Sequence, residues 1–328
     1  MPGGDSLLDD LIALGGAGVR VVDVGKEQAL AVGAGAVRIG LHRTGELPTQ
    51  DLEPFDVLLS SEAAAPRPWV GVGEKLAGVL SELVRRVSAQ PAAAAVAAQA
   101  LRTSERLTFD EALVQESIGY SMLLASEGFR AWRAANPVRD RPPDEAARVV
   151  IEASEAGIEI RLNRPAARNA FDARMRDELC EALAFAADHP DAPPVTLSGA
   201  GPAFSAGGDL DEFGRAGDPG RAHMIRALRS PARLAHALGH RLTARLHGAC
   251  VGAGIEVPAA AARVTASAGA FFRLPEVAMG LIPGAGGTAS IPRRVGRHRA
   301  CYMAISGADI DVETALAWGL VDGMDAAS

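Results

Sequence analysis

The sequence predicts an α/β protein in two unequal parts with a block of helices between them, on three observations. Short β-branched runs bounded by glycine open the chain, around 18–24, 36–41 and 55–59. From Gly73 to Arg133 the apolar residues recur at helical spacing. From Val149 onward, strand-like and helix-like runs alternate, which is the pattern of packed βα units.

In order, Val37, Ile39 and Leu41, then Val57, Leu58 and Leu59, mark strands of a small α/β extension over residues 1–72, in which no chemistry is legible. Residues 73–135 are helical: Leu76, Leu80, Leu83 and Val84 share a face, and Pro91 suits the first turn of a second, Ala-rich helix. Thr108 with Glu111 three residues later reads as a capping box for one long helix that carries Leu113, Glu116, Tyr120 and Leu123 and runs on to Phe129 and Trp132. Residues 136–148, NPVRDRPPDEAAR, are proline-rich and charged and read as a linker. The core, 149–328, begins with a hairpin turning at Ala156-Gly157. A helix follows over 172–187, then a strand at 195–198, a helix over about 221–238 and a strand at 242–246. Helices near 295–305 and 311–318 complete it.

Composition narrows the function. A net charge of −7 argues against a nucleic-acid or anionic-membrane partner. Cys180, Cys250 and Cys301 are odd in number and far apart, so neither a disulfide framework nor a metal site is expected, and free buried thiols are. The first ten residues lack a signal-peptide pattern, and the most apolar tract, 91–101, is too short to span a bilayer, so a cytoplasmic protein is expected.

The chemistry concentrates in 247–288. Glu256 and Glu276 stand there among small and apolar neighbours, and two acids in a poorly solvated frame divide protons between them. The alternative for Glu276 is an ion pair with Arg273. Gly252-Ala253-Gly254 and 284–289 imitate dinucleotide-binding glycines, but the first has Val257 where the third small residue belongs and the second follows Pro283 with no strand leading in.

The phrases LNRPAARNAF (162–171), GPAFSAGGDLDEF (201–213), HGACVGAGIEV (247–257), FFRLPEVAMGLIPGAGGT (271–288) and ALAWGLVD (315–322) together resemble the crotonase (enoyl-CoA hydratase/isomerase) superfamily. The resemblance implies a crotonase-like spiral of ββα repeats, assembled as a homotrimer or hexamer. It also implies that 100–132 looks like the helical region that ends a family chain, here placed ahead of the core. The implied substrate is an acyl-CoA thioester, with coenzyme A entering only as part of it and no separate cofactor. The implied oxyanion donors are the N–H groups of Gly208 and Ala253, and the implied catalytic pair is Glu256 and Glu276, with roles left joint. Ala166, Arg168, Ala206, Gly207, Asp209, Leu210 and Gly284 are the expected substrate contacts, although Asp209 is also a natural turn cap. Both glutamates favour hydration of a 2-enoyl-CoA. An isomerase, a thioester hydrolase, a cofactor-free arylacetyl-CoA dioxygenase and a catalytically silent acyl-CoA-binding subunit remain alternatives.

Overall fold

The computed structural model describes residues 18–24, 35–50, 52–139 and 145–325. Strands β1 (Val19–Asp23), β2 (Val37–His42), β3 (Val57–Ser60) and β4 (Val70–Gly71) form a parallel sheet in that order. Both faces are covered, which explains why β3 is buried at every position rather than alternating. Val37, Ile39, Leu41, Val57 and Leu59 join the main core, while Val22, Phe55, Leu58 and Trp69 form a second apolar cluster.

The helical block is α1 (Leu76–Ala89), α2 (Pro91–Ser104), α3 (Phe109–Leu124) and α4 (Glu127–Ala135). Pro91 occupies the first turn of α2, and Thr108 and Glu111 make both halves of the capping box of α3. The long helix expected to reach Trp132 is two helices. Ala125 ends the first, and the Ser126 side chain accepts the Phe129 N–H to start α4. A serine inside a helical period is a better cap than an interior residue, and that preference decides here.

The core contains a six-stranded sheet of order β13-β10-β8-β7-β6-β5, parallel except for the predicted hairpin of β5 (Val149–Ser154) and β6 (Gly157–Leu162). The remaining strands are β7 (Val195–Gly199), β8 (Leu242–Leu246), β10 (Arg263–Ala266) and β13 (Gly323–Met324). A second sheet joins β9 (Ala249–Val251), β11 (Phe271–Arg273) and β12 (Ile310–Asp311). Helix α5 (Ala173–Ala187) starts at Asp172, whose carboxylate accepts the Met175 N–H. The helix expected over 221–238 is broken: α6 (Pro219–Leu228) ends, and Pro231 opens α7 (Pro231–Ala237) behind the Ser230 cap. Proline lacks the N–H that a continuous helix needs there. After the one-turn α8 (Ala253–Glu256) come α9 (Gly287–Val295), α10 (Arg297–Ser306) and α11 (Val312–Trp318). The helix expected near 295–305 is therefore α10, and α9 ahead of it is masked in the sequence by the glycines at its start and by Pro292 within it.

The helical block packs onto this core: α2 lies against α9 and α10, and α3 against α9 and α6. Arginines tie the first sheet to the same assembly. Arg297 donates to the Phe55 carbonyl at 2.8 Å, Arg299 to the Trp69 carbonyl at 3.0 Å, and Arg102 pairs with buried Asp56 at 2.7 Å. The predicted linker is anchored at its end, because Arg148 is buried against Asp172 at 3.0 Å. All three cysteines are free and buried. Among the described residues no helix is long and apolar enough to cross a membrane.

Candidate active site

Two strand ends set the site. The segment around Ser205 runs parallel to β9, with a bridge between Ser205 and Cys250, and the turns that follow the two segments bring Gly208 and Ala253 to one cavity. Gly207 and Gly252 take positive φ, 89° and 49°, where an L side chain is strained. A Cβ on Gly208 would stand 2.4 Å from Phe213 Cε1, so a larger residue there would have to displace that ring. The N–H groups of Gly208 and Ala253 have no acceptor among the described residues, and both residues line a cavity of about 480 Å³.

Glu256 ends α8 and is 2% exposed. Its Oε2 accepts the N–H of Ala285 at 2.7 Å and of Gly287 at 2.9 Å, at the start of α9. Burial, then the neighbouring Glu276, hold its pKa well above the usual carboxylate range. Glu276 begins the 3₁₀ turn Glu276–Met279; burial pushes it up to about 8, and its Oε2 has no hydrogen-bond partner among the described residues. The Arg273 alternative is not realised: that guanidinium pairs with Asp309 at 2.6 Å. The two acids meet at Gly252, where an added Cβ would stand 2.4 Å from Glu276 Oε1 and 3.7 Å from Glu256 Oε1.

A third buried acid completes the group. Glu116 on α3 accepts the N–H of Gly286 at 2.7 Å, and the N–H and hydroxyl of Thr288 at 2.7 and 2.8 Å. Burial raises it to about 7. Sequence reasoning places it on a helix and misses it as a site residue, yet its position carries a signal: an acid on the same helix face as Leu113, Tyr120 and Leu123, all buried. The Tyr120 ring abuts Gly284, where a Cβ would lie 2.3 Å from Tyr120 Cδ2.

Among the expected substrate contacts, Asp209 and Gly284 line the cavity with Glu256 and Glu276. Asp209 is already engaged, through Arg164 at 2.8 Å and the Asp211 N–H at 3.2 Å, so it holds the loop as a turn cap. Ala166, Arg168, Ala206, Gly207 and Leu210 lie outside the cavity lining. Arg168 has a φ of 50°, and its carbonyl accepts the Ala206 N–H at 2.8 Å. His247 Nε2 lies 2.9 Å from the Gly201 carbonyl and is structural.

The arrangement offers two free backbone donors beside two buried carboxyl groups whose pKa values are raised. The model of the enoyl-CoA hydratase/isomerase family matches residues 152–328. Curated relatives include a mevalonyl-coenzyme A hydratase of Beauveria bassiana, 34% identical, with the match covering 50% of this chain and 61% of that protein. A 2,3-dehydroadipyl-CoA hydratase of Escherichia coli is also 34% identical, over 53% and 67%. The chain thus spans roughly two thirds of the length of the curated relatives it matches. The crystal structure of an enoyl-CoA hydratase from Thermoplasma volcanium matches with a TM-score of 0.50 and 31% identity, over 55% of this chain and 73% of that one. The family match covers more than half of the sequence and contains Gly208, Ala253, Glu256 and Glu276, and the chain belongs to the enoyl-CoA hydratase/isomerase family.

Proposed function

We propose that the protein hydrates a 2-enoyl-CoA thioester. The observation that carries this reading is the meeting of Glu256 and Glu276 at Gly252, beside the unoccupied N–H groups of Gly208 and Ala253. The thioester oxygen accepts both N–H groups, so that charge developing on it meets donors already in place. Glu256 takes a proton from water as the water oxygen bonds to C3. The C2–C3 π pair moves into the enolate and returns to form a C–H bond at C2 with the proton of Glu276. The product gains one water, and proton exchange between the two carboxyls and solvent restores the start. The base role of Glu256 is supported by the two N–H groups on its Oε2, which stabilise an anion. The acid role of Glu276 is supported by its Oε2, which no N–H among the described residues holds as an anion.

The same reading assigns residues 1–72 to an extension, 73–135 to helices that stand in for a family chain's terminal helices, 136–148 to a linker and 149–328 to the catalytic core. The contact of α2 and α3 with α9, and the Glu116 and Tyr120 side chains in the cavity wall, support that assignment. Homotrimer or hexamer formation is supported by an exposed apolar stripe, Val114, Ile118 and Met122 on α3 beside Met224 and Leu228 on α6. No cofactor beyond the coenzyme A of the substrate is needed for this chemistry, and a cytoplasmic location agrees with it.

The test is direct. Purified protein mixed with crotonyl-CoA is expected to consume the conjugated-thioester absorbance, and Glu256→Gln to reduce that rate by at least about 100-fold. Binding of CoA esters with no turnover of any enoyl-CoA rejects the proposal.

A further inference from the structure

Among the described residues, one half-buried cation of the cavity wall has no ion-pair partner. Arg226, on α6, lines the cavity with Glu256 and Glu276. Its guanidinium carbon sits 4.4 Å from the centroid of the Tyr120 ring. Nε donates to Ser117 Oγ at 3.4 Å and Nη2 to Ser121 Oγ. Both partners are neutral hydroxyls, and they use two of five N–H donors. Of the other arginines of the lining, Arg215 and Arg221 are exposed to solvent, and three have acids: Arg176 pairs with Asp177 at 2.8 Å, Arg229 with Glu181 at 3.7 Å and Arg233 with Asp110 at 3.0 Å. Arg226 has no carboxylate within ion-pair distance among the described residues. The acid that acts on it through space, Glu116, already accepts from Gly286 and Thr288 with both oxygens.

A cation that has lost part of its hydration and gained no acid costs folding energy, which a ligand returns. Burial lowers the pKa of Arg226, the mark of a guanidinium taken partly out of water. Leu113, Leu124, Phe213 and Ile225 make much of the remaining lining apolar, which suits a hydrocarbon chain ending in an anion. Tyr120 connects the two ends of that path, with Gly284 against its ring, one residue before a donor to Glu256, and the guanidinium over its face.

We propose that Arg226 is the counter-ion for a carboxylate at the far end of the acyl group, so that the preferred thioesters are ω-carboxylated. A carboxylate matches the planar guanidinium fork with two parallel hydrogen bonds, which the Ser117 and Ser121 hydroxyls hold in orientation. Arg226 is here a specificity residue; it touches the distal end of the substrate and none of the reacting atoms. The inference rests on the hydratase reading for its substrate class.

The experiment compares hex-2-enoyl-CoA with its ω-carboxylated analogue on the full chain, wild type and Arg226→Met, with Arg226→Lys as the conservative variant. The expected result is a preference of about 10- to 100-fold in kcat/KM for the carboxylated ester. Arg226→Met is expected to abolish that preference through KM while leaving hex-2-enoyl-CoA within about threefold, and Arg226→Lys to restore part of it. Equal losses for both esters, or weakened binding of free CoA, overturn the proposal, the latter by assigning the guanidinium to the phosphates. Turnover of both esters by the wild type without preference overturns it and leaves the hydratase reading intact. Calorimetric binding of the saturated pair, hexanoyl-CoA and its ω-carboxylated analogue, separates the two failures: a wild-type preference there without any turnover of enoyl esters retains the role of Arg226 and rejects hydration.

Discussion

Glu116 and Glu256 share one turn of backbone. Glu256 accepts the N–H groups of Ala285 and Gly287, and Glu116 those of Gly286 and Thr288. Four successive N–H groups at the start of α9 are thus divided between an acid of the core and an acid from the helical block. A helix start leaves such donors unsatisfied and favours negative charge, so this turn is built to hold carboxylates.

Glu116 therefore positions Glu256 without reaching the reacting atoms. Glu116→Ala leaves three buried donors without an acceptor, each costing about 1–3 kcal/mol. Its expected effects are a loss of stability of roughly 3 kcal/mol or more in urea unfolding and a fall in kcat of about 10- to 100-fold, with KM nearly unchanged. Glu116→Gln keeps one acceptor oxygen and is expected to recover part of both. A fall in stability with unchanged kcat would reduce Glu116 to a structural clamp.

Glu276 makes stability depend on pH in an unusual direction for a carboxyl group. The native form keeps its proton until about pH 8, whereas the unfolded chain releases it near 4.5. Between those values the native state binds more protons, so this group's contribution is fully present below about 4.5 and is lost as pH rises through 8. Glu276→Gln cannot ionise. It is expected to match the wild type at pH 5, to exceed it at pH 8.5 by an amount on the order of a few kcal/mol, and to lack hydratase activity. Glu116 and Glu256, also raised, leave a residual slope in the variant. Urea unfolding at both pH values checks this, and an unchanged difference between them would show that Glu276 is already ionised when folded.

What the sequence discloses divides along a physical line. Local signals survive folding: the capping box at Thr108, the first-turn Pro91 and the hairpin at Gly157 are all in place, because each rests on neighbouring residues. The pair Glu256 and Glu276 stands out as charge among apolar residues, and burial is what that pattern means. Glu116 lies 170 residues from its Gly286 donor, so only the tertiary fold shows what it holds. In the sequence Arg226 looks like one arginine of many; its distinction is to stand half-buried in the cavity wall without an ion pair among the described residues, which is a property of space. The two broken helices, at Ser126 and Pro231, escape sequence reasoning because the apolar period continues across the break while the backbone does not.

Gly208→Ala tests the oxyanion site. The new methyl would meet the Phe213 ring at 2.4 Å, so ring or backbone must move. Displacing one donor from the developing charge is expected to lower kcat by about 10²- to 10³-fold. Free CoA binding, measured by calorimetry, is expected to stay within a few-fold of wild type. Wild-type kcat in this variant would remove Gly208 from the mechanism.

Arg164 tests how that glycine is held. Its guanidinium lies 2.8 Å from Asp209 and 3.4 Å from Asp172, and Asp172 in turn meets Arg148 at 3.0 Å. The four groups are largely buried and alternate in sign, joining the start of β5, the cap of α5 and the residue that follows Gly208. Removing one partner leaves an uncompensated buried acid, which costs about 3–5 kcal/mol. Arg164→Met is expected to lose stability of that order and to lower kcat, because Asp209 is released beside the proposed donor. Arg164→Met with Asp209→Asn neutralises the acid that loses its guanidinium, while Asp172 keeps Arg148, and is expected to recover part of the stability. If this chain of ion pairs serves stability alone, kcat of the folded fraction stays at the wild-type value. A fall in kcat that the double variant does not reverse is expected instead, since an amide at position 209 cannot make the charge-assisted bond that fixes the turn.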